Sequence, residues 1–361
     1  MKTTQAALGL IACVMAGSAF AQTNVTIGGL VDTFAGSVKN SGDPGRKGVV
    51  GSGGMTTSWF GFKGTEDLGG GLRAEFALTG FFRGDTGESG RFGGDNLFSR
   101  DANIGLAGGF GKVQLGRGLA PNFLPTVLFN PFGDSFTFSP LVVHLNVPSG
   151  AFAARTWTAA NAGDTGWSNQ IIYTTPKFGG LSANVHYQFG EVAGATGRNN
   201  VGVNLLYFNG PFAATAFYHD VQSANPNPGA IIDVTASPVS FASINKQKAY
   251  FVGASYDFKV VKLFGTYQRN KDDTTTAAEL TDKVASLGLS APVGPGSVLL
   301  GYAHTDRTGS LVGADRKRDT VSVGYDYVMS KRTDLYAIAM TDKITGASRA
   351  QSFGVGVRHK F

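Results

Sequence analysis

Residues 72–79, LRAEFALT, alternate without a slip: Leu72, Ala74, Phe76 and Leu78 fall on one face, Arg73, Glu75, Ala77 and Thr79 on the other. Successive side chains of an extended strand point to opposite faces, so this segment is a strand with one apolar and one polar side. The pattern recurs in segments of about ten residues, the length that crosses a bilayer as a tilted strand. Gly-rich turns at 69–71, 108–109, 176–180, 209–211, 258–261, 291–296 and 329–333 alternate with longer polar loops. Eight loops and seven turns give sixteen strands. An even strand number, with short connections at one rim and long ones at the other, predicts an all-β fold: a transmembrane antiparallel 16-stranded β-barrel. Closure is what lets strands satisfy every backbone hydrogen bond in lipid, and sixteen strands leave a lumen too wide for side chains to fill.

The last ten residues, SFGVGVRHKF at 352–361, alternate in the same way and stop on an aromatic. Phe353, Val355, Val357, His359 and Phe361 share the face turned to lipid. This stretch is expected to pair with residues 25–32 and close the barrel, and His359 then belongs near the interface, because a polar group is costly at mid-membrane. The final strand is thus assigned to assembly and closure, apart from the long loop expected to carry the function.

Composition narrows the alternatives. Gly contributes 52 of 361 residues, twice the usual share of about 7%, with no collagen-like triplet period. Only 16% of residues are charged, against about 25% in soluble domains. Mean hydropathy is -0.01, as expected when an apolar outside and a polar inside average out. The net charge of +6 is scattered, and no Lys/Arg run points to nucleic acid. No HExxH spacing, nucleophile elbow or metal-ligand cluster is present, and no cofactor or metal is expected. A barrel enzyme or adhesin could still assemble a site across strands, with His144 as its candidate.

Residues 1–21 read as a secretory signal peptide: Lys2, an apolar run, then Ala19-Phe20-Ala21 before Gln22. The alternative, a lipoprotein cleavage box ending at Cys13, leaves a leader of twelve residues. The barrel is then 22–361, and removal of the leader takes away the one cysteine and with it any disulfide.

One stretch breaks the rhythm. Residues 118–165 lack alternation and carry Pro121, Pro125, Pro131, Pro140 and Pro148. An insertion this long in a compact domain is usually functional. Strand parity meanwhile turns Lys63, Arg73 and Lys112 towards the interior.

Five stretches resemble the general porin family of β-proteobacteria: GFKGTEDLGGGL at 61–72, GLAGGFGKVQLGR at 105–117, NPFGD at 130–134, Tyr327 with SKRTDLY at 330–336, and the terminal RHKF. The resemblance spans the mature chain in family order. It implies a homotrimer in the outer membrane of a Gram-negative bacterium, among outer-membrane lipid and lipopolysaccharide. It implies a third loop folded inward to narrow the lumen, and a terminal Phe361 read by the barrel-insertion machinery. Arg100 and Arg117 match the family's arginines beside that loop, Asp134 matches its loop acid, and Arg155 lies later in the loop. Such a channel passes small hydrophilic solutes and ions by diffusion, and opposed charges at its narrowest point set a preference. Arg100 and Arg117 predict a weak anion preference. Two departures weaken it: the family has Arg where this chain has Trp59, and often a basic residue near Trp167. Inward tryptophans would offer stacking surfaces to aromatic or sugar-like solutes. A one-residue change of parity would instead put both in an interface girdle.

Overall fold

The computed structural model describes residues 24–149, 157–191, 198–223, 225, 244–274 and 277–361; the leader and Arg155 lie outside them. All seventeen strands join one antiparallel sheet that closes on itself. They are β1 Asn24–Val38, β2 Lys47–Ser52, β3 Trp59–Gly69, β4 Leu72–Phe81, β5 Asp101–Gly108, β6 Gly111–Leu119, β7 Gly166–Thr174, β8 Leu181–Gln188 and β9 Asn200–Asn209. The circuit continues through β10 Phe212–Val221, β11 Ile244–Asp257, β12 Lys262–Thr274, β13 Glu279–Val293, β14 Gly296–Thr308, β15 Arg316–Val328, β16 Thr333–Ile344 and β17 Ala350–Lys360. Two short helices, α1 Phe123–Leu128 and α2 Pro140–Asn146, interrupt it between β6 and β7.

Seventeen segments make sixteen barrel strands because β2 and β3 are one strand with a break. Both run antiparallel to β1, which pairs through Asn24–Leu30 with β3 and through Thr33–Val38 with β2. Residues 53–58 bulge out of the sheet between them. Asp32 holds the bulge: its carboxylate accepts the backbone N–H groups of Gly54, Met55 and Thr56 at 3.1, 2.9 and 2.7 Å.

The short turns fall where the glycines predict. At 69–71 all three glycines adopt positive φ, which side chains with a Cβ rarely do. The expected closure is corrected in register. β17 pairs with Leu30–Ser37 rather than 25–32, because β1 runs on to Val38. That upper half escapes a pattern search: its outer positions Thr33, Ala35 and Ser37 are small, and its inner Phe34 is buried.

The alternation expected of the strands is present. Along β17, Gln351, Phe353, Val355 and Val357 are exposed on the outer face, and Ser352, Gly354 and Gly356 are buried. Strands β4 to β10 are eight to ten residues long, and β11 to β17 eleven to fifteen, so the wall is taller on one side.

Candidate functional site

The long loop lies against the inner face of the tall wall. Ser139 caps α2, its Oγ accepting the Val142 N–H, and Pro140 opens the helix where a missing N–H costs nothing. The helix buries Leu141, Val142, Val143 and Leu145, each at most 1% exposed. Leu141 and Leu145 meet Val284 of β13. His144 Nδ1 lies 2.7 Å from Thr305 Oγ1 and its Nε2 2.8 Å from Thr320 Oγ1. Burial, then the nearby Arg318, His304 and Arg307, push its pKa well below the usual histidine range, so the ring is neutral. Ahead of the helix, Phe132 and Phe138 join Phe34 of β1 and Tyr336, Ile338 and Met340 of β16 in an apolar cluster. Glycines on the wall make room: a Cβ at Gly354 would lie 2.7 Å from the Phe138 ring and 2.9 Å from Phe34, and one at Gly288 2.5 Å from Pro131.

Three buried arginines clamp the loop. Arg318 donates to the Val143 carbonyl at 3.2 Å while its Nε and Nη2 hold Asp342 at 3.0 and 3.1 Å. Arg307 donates to Thr158, grips Asp282 at 2.7 Å twice, and lies 4.1 Å from the Trp157 ring centre. Arg117 donates to the carbonyls of Ser99 at 2.6 Å and Gly166 at 3.1 Å and reaches Asp164 at 3.5 Å. It is 5% exposed and ties down the loop base, so its charge is not presented to the open lumen. Asp164 also takes both Arg91 Nη groups, at 2.7 and 2.8 Å. Burial raises its pKa, but Arg91 and then Arg117 outweigh that and hold it below the usual carboxylate range.

What remains open is bounded by the loop's free edge and the shorter strands. Trp59 shares a face with Gly61 and Lys63, whereas Phe60 and Phe62 on the other face are exposed. It therefore points inward. The Arg100 guanidinium lies 4.0 Å above its ring centre and Lys63 Nζ 5.6 Å away. Arg100 Nη1 is 3.6 Å from Asp101 and, among the described residues, has no hydrogen-bond partner. Across from it, Asp134 is half-buried on the loop and hydrogen-bonded to Thr56. Burial pushes its carboxyl above the usual range, against the pull of Thr56, Arg358 and Arg100. Towards the short turns, Lys63, Glu75, Lys112 and Asn103 line a cavity of about 480 Å³. There Glu75 takes Lys112 at 3.6 Å and Arg73 at 3.5 Å.

The structure thus brings Trp59, Lys63, Arg100 and Asp134 together and places Arg73 and Lys112 lower, around Glu75. Trp167 is 0% exposed beneath the loop base between His186 and His219, far from a lipid girdle. Arg358 completes the set, and sequence reasoning missed it. Its guanidinium spans Asp334 at 3.0 Å, Asp326 at 3.3 Å and Thr56 at 3.0 Å. Parity with Ser352, Gly354 and Gly356 was the available signal. Nor does the last strand stand apart from the loop, as expected: Phe138 rests on Gly354, and Thr56 joins Arg358 to Asp134.

The comparisons agree with this geometry. Residues 6–347 match the model of the Gram-negative porins. Outer membrane porin protein 32 of Delftia acidovorans is 34% identical, over 93% of this chain and 88% of that protein. An outer membrane porin protein of Bordetella pertussis is 30% identical over the full length of both. The solved anion-selective porin from Comamonas acidovorans superposes with a TM-score of 0.74 at 29% identity, covering 94% of this chain and all of that one. A closed 16-strand barrel, an inner face lined with paired charges and full-length similarity to outer-membrane channels lead to one assignment: the chain belongs to the Gram-negative porin family and is an outer-membrane channel protein.

Proposed function

We propose that the protein is a passive, weakly anion-preferring diffusion channel whose constriction is formed by Arg100, Trp59, Lys63 and Arg358 facing Asp134 on the loop of 118–165. The observation that carries this reading is the Arg100 guanidinium held 4.0 Å above the Trp59 ring. The ring's quadrupole holds the cation without adding a second negative charge to the long 3.6 Å contact with Asp101. Arg358 is balanced by two carboxylates, Asp326 and Asp334, at 3.3 and 3.0 Å, whereas Arg100 meets only Asp101 at 3.6 Å, so Arg100 and Lys63 supply most of the local field. The similar Comamonas protein is an anion-selective porin, which supports the sign. Because Arg100 covers the Trp59 ring, stacking of aromatic or sugar-like solutes is the weaker reading.

No turnover is required of such a channel. His144, the candidate of a barrel enzyme, is enclosed and bonded at both nitrogens. We further read residues 1–21 as a leader removed on export and the working form as a homotrimer. The uncharged outer face of β4 to β9 suits a subunit interface, and Phe361 serves insertion. In planar bilayers under a tenfold KCl gradient, the reversal potential is expected to lie on the anion side. Arg100→Ala should move it towards zero with the channel otherwise intact. A wild-type potential clearly on the cation side would refute the selectivity assignment.

A further inference from the structure

Two kinds of charge line the lumen. Arg117, Arg307 and Arg318 are hydrogen-bonded to backbone carbonyls, and the last two also grip buried carboxylates. The charges around the cavity of about 480 Å³, on the short-turn side of the constriction, are held differently. Among the described residues, Lys63, Glu75 and Lys112 make no side-chain hydrogen bond, and Lys63 makes no ion pair. Glu75 stands 3.6 Å from Lys112 and 3.5 Å from Arg73. A formed charge-assisted hydrogen bond is about 2.8 Å long, so the Glu75 carboxylate keeps most of its acceptor capacity. The fourth charge of the lining, Asp101, accepts from Thr79 at 2.7 Å and meets Arg100 at 3.6 Å.

Strand register sets the spacing of these groups. Lys63 lies opposite Ala77 and Thr65 opposite Glu75, so Lys63 and Glu75 are diagonal neighbours on the inner face of β3 and β4. Diagonal neighbours stand about 7–8 Å apart, within reach of long side chains, yet Glu75 leans to Lys112 and Arg73 instead. A simple ion between Lys63 and Glu75 is attracted by one and repelled by the other. A solute with an anionic and a cationic group on adjacent atoms can meet both. The rest of the lining says what else that solute carries. Leu119 and Leu124, half-buried, and Ile172 present aliphatic surface from the loop and β7. The amides alongside are paired with one another: Gln114 donates to Asn103 at 3.0 Å and Asn184 to Asn204 at 2.7 Å. A few placed charges beside an aliphatic wall match an α-amino acid with an apolar side chain.

We propose that this cavity is a subsite for apolar α-amino acids, with the carboxylate at Lys63, the ammonium at Glu75 and the side chain against Leu119, Leu124 and Ile172. The inference rests on the channel reading above but not on the sign of its ion preference, because a zwitterion has no net charge for the constriction to sort. Binding is weak by design, since a channel must release what it holds. The test follows L-leucine by saturation-transfer NMR on the folded protein in detergent at neutral pH. Three analogues accompany it: 4-methylpentanoate lacks the ammonium, 3-methylbutylamine lacks the carboxylate, and glycine lacks the side chain. L-Leucine is expected to bind roughly tenfold or more tightly than each of the three. Glu75→Gln should weaken leucine about as much and leave 4-methylpentanoate unchanged. Lys63→Gln should weaken leucine and 4-methylpentanoate and spare 3-methylbutylamine. Leu124→Asn should weaken leucine and 4-methylpentanoate alike; if that variant fails to fold, the analogue series on the wild type decides alone. Equal binding of leucine and 4-methylpentanoate, or equal leucine binding by wild type and Glu75→Gln, would overturn the subsite. Planar bilayers keep the two readings apart. KCl steps from a protein that does not bind leucine overturn the subsite and leave the channel standing, whereas leucine binding without KCl steps does the reverse.

Discussion

At the scale of the residue, the lumen depends on which charges are already paired. Arg117, Arg307 and Arg318 are spent on the loop's backbone and on buried carboxylates, so a count of inward arginines overstates the positive field. Asp134 works the other way. Its raised pKa means that it loses its charge at a pH above the usual aspartate value of 3.8. As pH falls towards that region the loop acid neutralises, so anion preference should rise. Asp134→Asn should show the higher preference already at neutral pH and a smaller rise on acidification. Reversal potentials measured in bilayers from pH 7 down to 4 read both effects. Identical pH curves for wild type and variant would remove Asp134 from the constriction.

At the scale of the element, the strands were legible because lipid and lumen demand opposite side chains, and that demand repeats at every second residue. Legibility failed where a third surface intruded. β2 and the upper half of β1 face neither a plain lumen nor a wide apolar belt; the bulge at 53–58 and the loop cover them, and the alternation fades. Parity assigned faces correctly for Lys63, Arg73 and Lys112, but it carries no depth and no partner, so it could not separate Arg100 from the buried Arg117. The helices of the loop were hidden by their brevity, although Ser139-Pro140 is a readable start signal for α2. The clamps make this loop rigid. Arg318→Ala would leave Asp342 buried without its bidentate partner, a loss of about 3–5 kcal/mol. Urea unfolding of the protein in detergent, followed by the mobility of the folded band, should show the drop, and single-channel records should become noisier.

At the scale of the whole molecule, the tall and short walls divide labour. The loop leans on β9 to β11 through α1 and on β13 to β17 through α2 and its phenylalanines, and leaves the passage beside β3 to β8. The wall's small residues set how closely the loop can lean. Gly354→Val would drive a methyl group into the rings of Phe138 and Phe34. Overpacking of that kind costs about 1–3 kcal/mol. A lower thermal midpoint is expected, together with a larger single-channel conductance as the loop gives way. An unchanged conductance would mean that the loop's free edge is set by its other anchors.

The seat of Phe138 has a consequence in time. Its ring packs 5.4 Å from that of Phe34 on the first strand and rests on Gly354 of the last, two segments more than three hundred residues apart that meet only along the β1–β17 ladder. Until that ladder zips, the seat does not exist. The order of events at this seat is therefore fixed by connectivity: the ring of strands must be sealed before Phe138 can settle. A barrel halted before sealing would hold its loop by its two helices and the arginine clamps, with Phe138 unseated.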